Sequence, residues 1–140
     1  MEERLGYLRE QLAAAIADFE RSLSIRVAEL EPAVADAVMS GQAQMLEFTI
    51  ELFWKTAKLF ILELHGFDIP SPKPVLKKYF ELGYVDYRGV ERLLRALEIR
   101  NSLSHVYRKD QFLELHAEIL RCAGLFGECA EGMLKARLEE

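Results

Sequence analysis

Leu5, Leu8, Leu12, Ala15 and Phe19 recur at spacings of three and four, the stripe of an amphipathic helix from about Glu3 to about Leu23. Ser24 and the β-branched Ile25 and Val27 loosen that pattern, and Pro32 suits the first turn of a new helix. The second helix carries two stripes. Leu46, Ile50, Phe53, Ala57, Phe60 or Ile61, and Leu64 form one; Phe48, Leu52, Leu59 and Leu62 form the other. A helix that is apolar on two faces must be covered on two faces, which predicts a second copy of the chain against one of them.

His65-Gly66 carries the glycine stop of that helix, and Pro70, Pro72 and Pro74 lead into a short third helix ending near Leu82-Gly83. Asp86 is the expected N-cap of a fourth helix with the stripe Val90, Leu93, Leu94 and Leu97. A fifth is predicted to carry Phe112, Leu113, His116, Ile119, Leu120, Ala123, Phe126, Ala130 and Met133 on one continuous face. No strand and no internal repeat reads through. The expectation is an all-α protein, an antiparallel up-and-down four-helix bundle with an additional short helix, in one domain over residues 1–140.

At 140 residues, 51% of them hydrophobic, the chain can bury a core without a metal or disulfide staple. Its net charge of −5 argues against a protein that coats nucleic acid non-specifically. The sign reverses locally, because residues 88–110 hold six basic side chains against the three acidic ones. Cys122 and Cys129, placed on one helix, would stand about 10 Å apart along its axis, too far for a disulfide, and are expected as buried thiols in a reducing compartment. The start Met1-Glu2-Glu3 has no basic n-region, and no 18 apolar residues run together, so a cytoplasmic protein without membrane contact is expected.

Two stretches carry candidate chemistry. In "LEFTIELFWK", Glu47, Glu51 and Lys55 recur every four residues, and Glu51 precedes Lys55 in the favourable order for an ion pair on one helix face. One reading is a surface pair beside a core Trp54; the other draws both charges into a dimer interface. In "RNSLSHVY", Arg100 can hold a phosphate, and His105 can move a proton near neutral pH. On an unbroken helix, residues five apart point about 140° away from each other, so Arg100 and His105 converge only if the helix ends near Leu103 or Ser104. The alternative is a capping histidine and a structural tyrosine. His65 and His116 are read as structural, and no metal-ligand pattern, glycine-rich phosphate loop or cofactor motif is present.

Together the two stretches, with "SPKPVLKKYFELGYVD" between them, resemble the HEPN-domain family in its branch of nucleotidyltransferase substrate-binding proteins and HepT-like toxins. Residues Arg100 to Tyr107 match the R-x4-H-x-Y motif of that family. The resemblance implies an HEPN-like bundle, a homodimer, and a gene beside a minimal nucleotidyltransferase that serves as antitoxin. In toxin members it implies a metal-independent ribonuclease site, here Arg100 and His105, silenced by AMP transfer to the motif tyrosine, here Tyr107. Asn101, Ser104 and Arg108 are then the polar neighbours that support phosphate binding, and Phe48, Glu51, Leu52, Trp54 and Lys55 form the interface or family-motif segment. Phe53 departs from the small residue often found before the Trp-Lys pair.

Three functions follow as expectations. The first is a toxin ribonuclease with RNA as substrate; the second is a non-catalytic substrate- or nucleotide-binding subunit of a nucleotidyltransferase. The third is a helical dimer used only for assembly.

Overall fold

Helix ends are set by residues that serve free backbone groups. The computed structural model describes residues 2–136, in which α1 spans Glu2–Leu23 and a 3-10 turn, Val27–Glu29, leads into α2, Pro32–His65. Glu31 caps α2 by accepting from the amide of Ala33 at 3.1 Å, and Pro32 occupies the first turn, where its missing N–H costs nothing. Gly66 closes α2 in the left-handed conformation, φ 77°, which a side chain would disfavour. Then come α3, Pro72–Glu81, and α4, Tyr87–Leu103, whose N-cap Asp86 accepts from the amide of Gly89 at 2.7 Å.

The predicted fifth helix is two helices, α5 (Lys109–Leu120) and α6 (Leu125–Ala136). Gly124, at φ 79°, breaks the run, and its amide is taken by the Glu20 carboxylate at 2.8 Å. The break rotates the two halves relative to each other, so Ile119, Phe126, Ala130 and Met133 are buried while Leu113, Leu120 and Ala123 are exposed. It also removes the helical ruler applied to the cysteines, since Cys122 lies in the turn and Cys129 in α6. Both thiols are free and buried, and burial pushes each up to about 11.

The bundle is built round α2, which packs against α1, α3, α4, α5 and α6. Gln42 Nε2 donates to the Ser22 carbonyl at 2.8 Å, and the Arg9 guanidinium stands 5.5 Å from the Phe60 ring centre, so α1 runs antiparallel to α2. α5 runs parallel to it, through Lys109 with Asp36 and His116 with Gln42. Arg95 of α4 joins Glu118 of α5 by two parallel bonds of 2.7 and 2.6 Å. The core centres on Phe53, which meets the Tyr79 ring edge-on at 5.7 Å and Phe126 at 6.2 Å. Tyr79 is wholly buried and keeps its hydroxyl satisfied by donating to the Cys129 carbonyl at 2.6 Å.

This arrangement changes the account of the two-faced second helix. Leu46, Ile50, Phe53, Ala57, Phe60 and Ile61 are fully buried, and Leu52 and Leu59 pack on the same core from its edge. The chain's own helices therefore cover most of both stripes. Phe48, 57% exposed, and Leu64 near the end of α2 remain, with Met45 also exposed one turn from Phe48.

Candidate functional site

Arg100 is the residue round which the candidate site is organised. It sits in the last turn of α4, and its Nη1 donates to both carboxylate oxygens of Glu51 on α2, at 2.7 and 2.8 Å. Glu51 is held from its own helix as well, because Trp54 Nε1 donates to its Oε2 at 3.0 Å. The expected Glu51–Lys55 pair is not formed: the carboxylate turns toward α4, where a delocalised guanidinium takes both oxygens, and Lys55 is left exposed. Trp54 is half-buried at the edge of the core rather than within it. Beside this pair, burial holds the Glu47 carboxyl above its ordinary range against the pull of the Arg100 cation.

The helix ends where the motif requires it to end. α4 stops at Leu103; Ser104 is its C-cap, donating from Oγ to the Asn101 carbonyl at 2.7 Å, and the His105 amide closes the turn on the Ser102 carbonyl at 2.9 Å. His105 is thus released from helical register. Its imidazole is exposed, and no hydrogen bond, ion pair or ring contact joins it to Arg100 or Tyr107 among the described residues. Tyr107 is 87% exposed on the loop between α4 and α5, anchored through its backbone amide to Gln111 at 3.4 Å, with its hydroxyl left to solvent.

The neighbouring cations are engaged. Arg108 pairs with Asp110 at 3.0 Å, and Lys109 with Asp36 at 2.9 Å. Between this loop and the start of α2 lies a groove of about 350 Å³ lined by Met39, Val106, Tyr107 and Phe112. On the other side of Arg100, a groove of about 550 Å³ runs between α3 and α4, lined by Ser71, Lys73, Lys77, Leu97, Arg100 and Asn101. Lys73 and Lys77 lie in the "SPKPVLKKYFELGYVD" segment, in which the sequence alone assigns no side chain a role. The signal that marks them is their spacing of four, which puts both on the face of α3 opposite the buried Val75, Leu76 and Tyr79.

His65 and His116 have structural partners. His65 Nε2 lies 2.7 Å from the Tyr84 hydroxyl. His116 Nε2 lies 2.6 Å from Gln42 Oε1 and, since that oxygen can only accept, carries the proton; burial lowers the affinity of the ring for a second one. Among the described residues no group of three or more His, Cys, Asp or Glu side chains could hold a metal ion, and no helix is long and apolar enough to cross a membrane.

The whole architecture recurs elsewhere. A crystal structure of a protein from Thermus thermophilus superimposes with a TM-score of 0.76 at 21% sequence identity, over 89% of this chain and 98% of that one, and shares its fold. No curated protein matches the sequence. Residues 9–135, which include α2, the α3 segment and the Arg100–Tyr107 motif, match the family model described as nucleotidyltransferase substrate binding protein like. The helical order, the motif at the end of α4 and that match agree: the chain belongs to the nucleotidyltransferase substrate-binding-protein-like family.

Proposed function

We propose that this protein is the substrate-binding partner of a minimal nucleotidyltransferase and presents Tyr107 as an acceptor for AMP. The observation that carries this reading is the exposure of Tyr107, 87%, on a loop held from below by Gln111. A large aromatic side chain left in water without a partner is available to another protein's active site. In the reaction, the Tyr107 oxygen attacks the α-phosphorus of ATP; the Oη–P bond forms, the bond to the β-phosphate bridge breaks, and pyrophosphate leaves as the phenolic proton passes to a base. Coexpression with the minimal nucleotidyltransferases of the source genome tests it. Intact mass gains one adenylyl group on the wild type and none on Tyr107→Phe; an equally labelled Tyr107→Phe overturns the assignment.

A HepT-like toxin ribonuclease is the second reading, favoured by the end of α4 at Leu103, which frees His105 to act as acid or base toward an RNA bound by Arg100. One feature weighs against it within one chain: no hydrogen bond, ion pair or ring contact joins His105 to Arg100 among the described residues. A homodimer would supply the missing proximity, with the exposed Phe48 and Met45 at the seam. AMP on Tyr107 would then place a negative phosphodiester where RNA phosphate binds. Cleavage of a labelled tRNA pool in EDTA by unmodified wild type and not by His105→Ala supports this reading; no cleavage by either removes it.

A further inference from the structure

We propose that the groove between α3 and α4 is a track for single-stranded nucleic acid, with backbone phosphates over Lys73, Lys77 and Arg100 and a base against Tyr87. It goes beyond Tyr107, which lines neither part of it.

The cationic end is built from separate elements. Lys73 and Lys77 stand one turn apart on α3, both exposed and without an acidic partner among the described residues, and Arg100 and Asn101 face them from α4. No acidic residue lines this part, in a chain whose net charge is −5. Arg100 has five N–H groups, of which Nη1 alone is turned to Glu51, leaving at least three, including the Nε edge that reads phosphate in a fork. Ser71, the N-cap of α3, lines the groove and makes no capping hydrogen bond from its side chain.

Lys77 also lines the next groove, of about 290 Å³, with Phe80, Glu81, Tyr87, Val90 and Glu91, so the two adjoin at that side chain. Tyr87 is 66% exposed, and its ring is braced edge-on by Phe80 at 6.3 Å. From Arg100 to Tyr87 the track follows α4 for about 20 Å, longer than one nucleotide needs. Glu81 and Glu91 repel phosphate at the Tyr87 end and can accept from base amino groups. Phosphates are thereby confined to the Lys73 end and the base to the ring, the division of labour of a single-strand site.

Fluorescence anisotropy of the full-length protein with a labelled six-nucleotide RNA of mixed sequence at low salt tests this. Binding should be weakened at least tenfold in Lys73→Glu/Lys77→Glu, and in Lys73→Ala/Lys77→Ala the log–log salt slope should fall by about 1.4, at about 0.7 for each phosphate left without its lysine. Tyr87→Ala should weaken binding roughly tenfold while leaving the slope unchanged. All three positions are exposed, so melting curves matching the wild type confirm folded variants. No binding by the wild type, equal binding by the lysine variants, or saturation by ATP with no oligonucleotide binding each overturns the proposal. Because the readout does not pass through AMP transfer, its failure and that of the Tyr107 reading are told apart.

Discussion

Glu51 and Arg100, separated by 49 positions in the sequence, meet through both carboxylate oxygens and one guanidinium nitrogen. Each side chain is about a third exposed, so the pair lies between the surface limit, worth little, and a buried pair, whose rupture is severe. The pair ties α4 to α2 and takes up part of the hydrogen-bonding capacity of Arg100. Glu51→Ala should lower unfolding free energy by about 1 kcal/mol in a urea titration. The same variant should bind inorganic phosphate or a short RNA more tightly than the wild type. Weaker binding would mean that Glu51 orients Arg100 rather than competing for it.

Acid should loosen the packing of α5 on α2 through His116. Its folded-state proton affinity is lowered by burial, so the unfolded chain binds the proton first as pH falls. The stabilising contribution is complete above the ordinary histidine range and is lost as pH falls through it toward the folded value. Phe112 stacks on the ring at 6.1 Å, and Gln42 accepts its proton, so neither of these neighbours supplies a carboxylate to offset the effect. Melting temperature measured from pH 7.5 to 5 should fall less steeply in His116→Gln than in the wild type. Parallel profiles would assign the acid sensitivity to other groups.

The exposed side of α2 supports a prediction about assembly. Phe48 is 57% exposed, with Met45 and Leu52 at helical spacing on the same side. If two copies meet there, Phe48→Asp releases monomers by light scattering without lowering the melting temperature of the monomer, because Phe48 contributes little to the chain's own core. Leu52 and Leu59 are poorer probes: both pack on the core, and charging them would unfold the bundle as well. A Phe48→Asp protein of unchanged mass moves the interface elsewhere.

Much of this fold could be read along the chain because its helix ends use local chemistry. Pro32, Gly66 and Asp86 act within one turn of themselves, and each stands where the residue pattern places it. The division of the last helix was hidden because Phe112 to Met133 keeps apolar residues dense enough to satisfy helical spacing across Gly124. A glycine inside a helix costs only about 1 kcal/mol, too little to reject continuity, and the left-handed turn is stabilised by Glu20, which is distant in sequence. The site was legible in its members but not in its wiring. Lys55 was the near partner available to Glu51, while the real one, Arg100, lies on another helix. His105 leaves helical register at the end of α4, so its spacing from Arg100 along the chain does not say where its ring stands.

Intact mass spectrometry reads directly whether Tyr107 accepts a nucleotidyl group. The protein is coexpressed with the minimal nucleotidyltransferases of its source genome, purified, and compared with Tyr107→Phe and with protein expressed alone. One added adenylyl group is expected on the coexpressed wild type, mapped to the peptide containing Tyr107, and none on the other two. An unmodified coexpressed wild type, or the same addition on Tyr107→Phe, would contradict an acceptor role for Tyr107.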